Sequence, residues 1–167
     1  MPAGQAVAGI GFFMKTNAIR ILESKNIPHS TIEYSSSEEE LDAVSVANKI
    51  GIEPEKVFKT LVARNESNEI LVFVIPGNFE LNLKKAAKAS DSKNIELIKV
   101  KELLPLTGYI RGGCSPIGMK KQYPTFVDET ALLHDEIYFS AGIKGMQIKT
   151  SPKDLAFVVN ALFADLI

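Results

Sequence analysis

Three short stretches place a lysine or a run of glycines at the edge of strand-like sequence, where an ester or carbonyl group could be bound. They are Lys59 at the start of an apolar run, the glycine-rich residues 111–118, and residues 139–145. Glycine leaves the backbone open to a ligand, and exposed backbone N–H groups can stabilise a carbonyl oxygen that becomes negative during acyl transfer. The loop at residues 111–118 could therefore take part in acyl transfer. Gly112-Gly113 alone fits a tight turn or bulge equally well, and Lys59 alone is better explained as the flank of a strand.

The signatures of several other enzyme classes are absent from the sequence. It contains no GxSxG, HExxH or GxxxxGK[ST] motif, and its one cysteine, Cys114, can form neither an internal disulfide nor a cysteine-based metal site. Both histidines, His29 and His134, lie beside predicted turns or strand ends, which favours structural roles. A nucleophilic Cys114, with Lys59 or His134 as base, is a minor alternative. We expect no metal ion and no cofactor.

Composition predicts one globular domain without a membrane segment, in a reducing cytoplasm. The chain has 167 residues, of which 46% are apolar and 23% are charged. Residues 1–13 read as an extension or a segment of artificial origin, so the expected domain spans residues 14–167. The net charge of −1 excludes an indiscriminate nucleic-acid binder. Residues 84–121, however, carry nine Lys or Arg against three acids, a local charge of about +6, which fits a phosphate-tracking surface or a solvated helix.

Hydrophobic spacing and turn residues predict short helices and short strands in mixed order. The expected helices cover residues 16–26, 42–50, 54–58 and 82–89, and a last one runs from 152 almost to the C terminus. The expected strands cover residues 29–34, 59–64, 70–77, 95–100, 107–113, 125–129, 136–142 and 146–150. Long helices do not alternate with strands, so a doubly wound parallel sheet is excluded. The pattern predicts an α+β single domain with a mixed, curved or barrel-like sheet and flanking helices.

Four separated motifs resemble the YbaK/prolyl-tRNA-editing family, in the same order and spacing. They are VFKTLV, FVIPGNFELNLKKAAKA, TGYIRGGCSPIGMKK and SAGIKGMQIKTSPKDL. The resemblance covers the chain from Met14 to the C terminus. It implies a mixed α/β fold around a barrel-like sheet and a free-standing deacylase that cleaves a wrong amino acid from tRNA. The YbaK branch implies Cys-tRNA(Pro) as substrate and prolyl-tRNA synthetase as partner.

The resemblance also implies which residues form the site. The catalytic group would be Lys59, Gly112, Gly113 and Ser115. The substrate-binding group would be Tyr34, Thr60, Pro116, Ser140, Ala141 and Gly142. In the YbaK branch the thiol of the substrate attacks its own ester carbonyl and a cyclic thiolactone leaves. The protein then needs positioning and oxyanion donors rather than a nucleophile of its own, and Cys114 is expected to be a spectator.

Three alternatives remain at this point. YbaK-type members carry an aromatic residue shortly after the Tyr34 region, and this chain has none there, which leaves Ala-tRNA(Pro) as another substrate. A binding module could use the same fold to recognise tRNA or a synthetase without catalysis. A hydrolase of small esters could pair Ser115 as nucleophile with Lys59 as base.

Overall fold

The structure, a computed structural model, describes residues 15–36 and 42–167. The predicted extension over residues 1–13 lies outside the described residues. The helices are α1 (Asn17–Ser24), α2 (Ala43–Ile50), α3 (Leu83–Ala89), α4 (Val100–Thr107) and α5 (Pro152–Val159), with 3₁₀ helices at Pro54–Lys56 and Glu129–Leu133. The strands are β1 (Ser30–Glu33), β2 (Phe58–Asn65), β3 (Ile70–Pro76), β4 (Ile95–Leu97), β5 (Thr125–Asp128), β6 (Ile137–Ser140), β7 (Met146–Thr150) and β8 (Leu162–Ala164). Across the described ranges, no helix combines the length and apolar character needed to cross a bilayer.

Side-chain caps fix where several helices begin, as the sequence predicts. The Thr16 hydroxyl accepts the Ile19 N–H at 3.2 Å at the start of α1, and the Asp42 carboxylate accepts the Ser45 N–H at 2.9 Å at the start of α2. These caps satisfy N–H groups that have no partner within the helix. The carboxylate of Asp42 is thereby held at the entrance of the cleft described below.

Eight strands form two sheets in the described part of the chain. A three-stranded antiparallel sheet has the order β1-β7-β6, and a five-stranded mixed sheet has the order β4-β2-β3-β5-β8. In the larger sheet β2 and β3 form an antiparallel hairpin, whereas β5 lies parallel to both β3 and β8. An isolated bridge between Val57 and Tyr138 connects the two sheets. The predicted α+β single domain is confirmed, and the sheets do not close into a barrel.

Buried side chains pack β2 of the larger sheet against the smaller sheet. One core cluster joins Phe58 and Val62 of β2 to Phe139 of β6 and Ile148 of β7. A second cluster lies on the other side of the large sheet, where the rings of Phe73 and Phe126 stack with centroids 5.5 Å apart. Because protein cores are close-packed, the backbone at the start of β2 has little freedom.

The sequence prediction is wrong in two regions, around helix α4 and at the C-terminal end. Residues 107–113 do not form a strand. Thr107 is the last residue of helix α4 and residues 108–113 follow it; periodicity did not reveal this helix because Pro105 lies inside it. Glu102 supports this helix by accepting the Lys99 N–H at 2.9 Å, and Gly108 ends it at φ 85°. The last helix ends at Val159 rather than near the C terminus, and β8 follows it.

Candidate functional site

A cleft of about 290 Å³ opens where β2, the glycine-rich loop after α4, and the β6–β7 sheet approach each other. Lys59 and Thr60 come from β2, Gly112 from the loop, and Ser140 from the end of β6. The fold therefore brings together four predicted site residues that are far apart in the chain. The other six lie outside the lining of the cleft.

Lys59 is half-buried on the β2 wall of the cleft. Its Nζ donates one hydrogen bond to the Gly77 carbonyl oxygen at 3.2 Å. Burial lowers the pKa of Lys59, and the negative charges of Glu80 and Asp42 partly oppose that shift. An ammonium group has three N–H donors, so the bond to Gly77 leaves two for a molecule in the cleft.

Gly77 positions Lys59 and cannot carry a side chain. A Cβ atom at this position would lie 2.4 Å from the Ala43 Cβ and 2.8 Å from the Val57 carbonyl oxygen. The Gly77 N–H donates to that same carbonyl at 2.7 Å. This close approach brings the Gly77 carbonyl within reach of the lysine.

Two buried polar atoms at the cleft lack a hydrogen-bond partner among the described residues. They are the Oγ1 of Thr60 and the Oε1 of Gln147, and both residues line the cleft. Gln147 is only 5% exposed. Buried polar groups are nearly always paired, so unpaired ones in a cleft mark positions where a ligand can supply the missing bond.

The glycine-rich loop presents backbone rather than reactive side chains. Within the described part of the chain, the N–H groups of Gly112 and Cys114 donate to no other residue, and both residues line the cleft. The Gly113 N–H is used by the Ile110 carbonyl at 3.0 Å. A Cβ on Gly113 would lie 3.2 Å from the backbone of Ile143, so this glycine allows the loop to pack against the β6–β7 turn.

Ser115 and Pro116 lie behind the cleft and are buried. The Ser115 hydroxyl accepts the Ile117 N–H at 3.2 Å. This bond closes a local turn of the kind that serine side chains often support. The Tyr109 hydroxyl donates to the Ile117 carbonyl at 2.5 Å and secures the same turn from the other side. Ser115 and Pro116 therefore support the glycine-rich loop from behind and do not line the cleft.

Within the Ser140-Ala141-Gly142 stretch, only Ser140 lines the cleft, and the other two residues lie behind it. The Ser140 hydroxyl accepts the Gly142 N–H at 3.1 Å, and the Ala141 N–H donates to Met146. Gly142 has φ 108° and lies against the Tyr109 ring. A larger residue would be strained at this positive φ.

Tyr34 lies just after β1, apart from the cleft lining. Its N–H donates to the Gly145 carbonyl at 2.9 Å, and its ring packs against the small cluster of Val46, Ala47 and Val57. Tyr34 therefore packs against helix α2, which borders the cleft, and does not line the cleft itself.

Neither Cys114 nor Tyr109 is ionised near neutral pH. Burial raises the pKa of the Cys114 thiol to about 12, although a hydrogen bond with Thr107 lowers it somewhat. Burial also raises the pKa of Tyr109 to about 12. A protonated thiol is a poor nucleophile. Among the described residues, no group of His, Cys, Asp and Glu is arranged to hold a metal ion.

Three polar residues of the cleft, Asp42, Arg111 and Gln147, were not among the predicted site residues. The sequence around Gln147 gives no signal for it, because the burial of most of β7 is visible only in the structure. Arg111 directly precedes the double glycine, where a cation beside open backbone suggests an anion. Asp42 was recognised only as a helix cap, because nothing in its local sequence shows that α2 borders a cleft.

Comparisons with known proteins identify the family and agree with the fold. A family model described as an aminoacyl-tRNA editing domain matches residues 37–158. EbsC of Enterococcus faecalis, provisionally named a Cys-tRNA(Pro)/Cys-tRNA(Cys) deacylase, is 49% identical over 152 residues, which cover 91% of this chain and 93% of EbsC. A proline–tRNA ligase of Brachyspira hyodysenteriae is 33% identical over 72 residues, 43% of this chain and 12% of the ligase.

A solved structure also matches the fold of this chain. The crystal structure of a protein described as a candidate trans-editing enzyme for prolyl-tRNA synthetase superposes with a TM-score of 0.78 at 25% identity. The match covers 92% of this chain and 98% of that one. The family predicted from the four sequence motifs is thus confirmed, and the chain belongs to the aminoacyl-tRNA editing domain family.

Proposed function

We propose that this protein is a free-standing deacylase that removes a wrong amino acid from tRNA, with Cys-tRNA(Pro) as its main substrate. The observation that carries the proposal is the half-buried Lys59, which faces the glycine-rich loop across a cleft whose Thr60 and Gln147 oxygens lack partners among the described residues. A small polar aminoacyl ester supplies the missing hydrogen bonds. The likeness to EbsC supports cysteine as the amino acid.

Lys59 binds the acceptor end of the substrate, and the loop stabilises the reacting carbonyl. The two free N–H donors of the lysine reach a ribose, phosphate or carbonyl oxygen. The unpaired N–H groups of Gly112 and Cys114 donate to the ester oxygen as it becomes negative. Ser140 and Thr60 present hydroxyl groups around the aminoacyl part. No residue of the protein acts as a nucleophile in this mechanism.

The attacking group is the thiol of the cysteinyl substrate. Its sulfur forms a bond to the ester carbonyl carbon, the bond from that carbon to the 3′ oxygen breaks, and the thiol proton passes to the leaving oxygen. The products are a cyclic thiolactone and deacylated tRNA. Holding the thiol against the carbonyl supplies the rate gain that proximity gives to intramolecular reactions. The high pKa of Cys114 is consistent with a role outside this chemistry.

Prolyl-tRNA synthetase is the proposed partner, because it can deliver the acceptor end to a chain whose net charge is only −1. The related segment within a proline–tRNA ligase and the fold shared with a candidate trans-editing enzyme for that synthetase support this pairing.

Release of labelled amino acid tests the proposal. Cys-tRNA(Pro) and Ala-tRNA(Pro) are incubated side by side with wild type, Lys59→Ala, and the matched control Lys153→Ala on the exposed side of α5, all with a chelator present. Cysteine release by wild type and the control, reduced by about 10²-fold or more in Lys59→Ala, is expected.

Other results separate the alternatives. Alanine-selective release that depends on Lys59 keeps the deacylase and changes its substrate. Binding of tRNA without turnover indicates a binding module. Full activity in Lys59→Ala contradicts the site assignment, and loss of activity in Ser115→Ala with labelling by a serine-directed acylating reagent supports the Ser115 hydrolase instead.

A further inference from the structure

A second depression, of about 180 Å³, continues the cleft across β2 towards β4 and the start of α4. The two depressions share five residues: Thr60, Leu61, Arg111, Gly112 and Cys114. A molecule bound in the cleft can therefore extend into this second depression, which we call the α4 groove, without leaving the protein surface. The α4 groove is smaller than a typical ligand site of roughly 300–1,000 Å³, so it suits one fragment of a larger molecule.

Aliphatic side chains line most of the α4 groove. They are Leu61, Val62, Leu97, Ile98, Val100 and Leu103. Leu97 is 45% exposed and Val100 is 63% exposed. Leaving such side chains in water is unfavourable, and a flat apolar group placed on them would remove that surface from solvent.

Two cations border the α4 groove, Lys99 and Arg111. Neither side chain forms an ion pair with another described residue. The carboxylate of the nearby Glu102 is bonded to Arg64 at 2.8 Å and to the Lys99 N–H, and it interacts with the Lys99 charge without forming a salt bridge, so Arg111 is the freer of the two cations. The groove thus combines an apolar floor with positive charge that is available to an anion.

We propose that the α4 groove holds the 3′-terminal nucleotide of the tRNA acceptor end, with its base on the aliphatic floor and its phosphate beside Arg111 or Lys99. This inference rests on the proposed function, because it uses an aminoacyl ester in the adjoining cleft to fix the position of the ribose. A nucleotide is the part of the substrate that is both flat and apolar on its faces and negative at one end. The predicted phosphate-tracking strip, residues 84–121, includes both cations.

Other exposed apolar side chains of the described residues do not offer this combination. Phe157 and Leu133 are 71% and 80% exposed, but neither lines the cleft or the α4 groove. Continuity with the cleft and the unpaired cations together favour the acceptor end over a protein partner as the occupant.

The test measures binding of two deacylated acceptor-stem minihelices, one with an intact 3′-terminal base and one abasic at that nucleotide. The variant is Val100→Glu, and the control is Phe157→Glu at a helical position of similar exposure, 71% against 63%. Glutamate at the first residue of α4 is compatible with the helix, because negative charge is favourable there. Thermal unfolding of each variant checks the fold.

Wild type and Phe157→Glu should bind the intact minihelix about tenfold or more tightly than the abasic one, the scale of one stacked base. Val100→Glu should lose most of that difference and bind both weakly. An equal preference for the base in Val100→Glu and wild type would overturn the proposal, as would equal binding of both minihelices by wild type. If Val100→Glu instead keeps the preference and loses association with prolyl-tRNA synthetase, the α4 groove is a protein interface and the proposal is wrong.

The proposed function fails separately. A wild type that binds the minihelices but releases no amino acid from any mischarged tRNA contradicts the deacylase, while the comparison of intact and abasic minihelices still decides the occupant of the groove.

Discussion

Two cavities of nearly equal size show what distinguishes the candidate site. The cleft at Lys59 measures about 290 Å³, and a second cavity, between the start of β5 and the end of α5, measures about 300 Å³. In the second cavity Gln122 Nε2 donates to the Val159 carbonyl at 3.0 Å, and the Thr125 hydroxyl donates to the Tyr123 carbonyl at 2.9 Å. Gln122, Tyr123 and Thr125 therefore have partners within the protein, Asn160 is exposed to solvent, and no described side chain of this cavity holds a buried polar atom without a partner.

The cleft at Lys59 is built in the opposite way. It holds a cation with a lowered pKa, and oxygens of Thr60 and Gln147 that have no partner among the described residues. Volume does not separate the two cavities, whereas hydrogen-bond satisfaction does. A protein that leaves buried polar atoms unpaired loses stability unless a ligand completes them, so of the two cavities the one at Lys59 is the better candidate for a ligand site.

Removing Lys59 should have the largest effect on activity without harming the fold. We expect Lys59→Met to lower kcat/KM for Cys-tRNA(Pro) by about 10²–10³-fold, the scale of losing one preorganised donor. Its free energy of unfolding should be unchanged or higher than that of wild type, because burial disfavours the charged lysine. Deacylation kinetics and urea unfolding measure the two quantities.

The same lysine predicts a pH dependence of stability. Its pKa is lower in the folded chain than the ordinary 10.5, so between those two values the unfolded chain binds more protons. Wild-type stability should rise with pH across that window relative to Lys59→Met. Parallel stability curves for the two proteins across alkaline pH would contradict the lowered pKa.

A side chain at Gly77, whose carbonyl binds Lys59, should displace the lysine and lower both activity and stability. Gly77→Ala places a Cβ against the Ala43 Cβ and the Val57 carbonyl. This overpacking should destabilise the protein by about 1–3 kcal/mol and lower kcat/KM by about tenfold or more.

Gly51→Ala is the matched control for Gly77→Ala. Gly51 has open space around it but a φ of 73°. A side chain in this left-handed conformation should cost about 1 kcal/mol of stability without an effect on kcat/KM. Equal activities in the two variants would separate Gly77 from the site.

A pair of glutamine variants tests the comparison of the cavities directly. Gln147→Leu should lower kcat/KM by about tenfold while stability holds or improves, because the buried Oε1 has no described partner to lose. Gln122→Leu should lower stability and leave activity unchanged, because it loses the bond to the Val159 carbonyl. It should lose about 1 kcal/mol of stability and keep its activity within about twofold. The same pattern in both variants would remove the distinction between the cavities.

Replacing Cys114 should have the smallest effect. With a pKa of about 12, the thiol is almost fully protonated between pH 6 and 9, so Cys114→Ala should keep kcat/KM within about twofold. Alkylation of wild type by iodoacetamide at pH 8 should be much slower than that of free cysteine. Rapid alkylation accompanied by loss of activity would restore the nucleophile alternative.

The sequence determined the local elements well where a single residue decides the backbone. Thr16, Asp42 and Ser151 begin helices, and Gly51 ends one in the left-handed region, because caps and positive φ depend on nearest neighbours. Local rules failed at α4, where Pro105 conceals a helix held by the contact between Glu102 and the Lys99 N–H. They failed again at β8, a three-residue strand that exists because β5 offers a parallel partner.

The sequence likewise predicted some residues of the candidate site, and only the tertiary structure revealed the others. Motifs and glycines pointed to Lys59, Thr60, Gly112 and Ser140, which the fold brings to one cleft. The sequence could not show that Ser115 and Ala141 are buried behind it, or that Gln147 and Arg111 belong to it. Which side chain faces a cavity, and which polar atom stays unpaired, depends on contacts between distant strands. Those contacts exist only once β2, the loop after α4 and β7 have packed together.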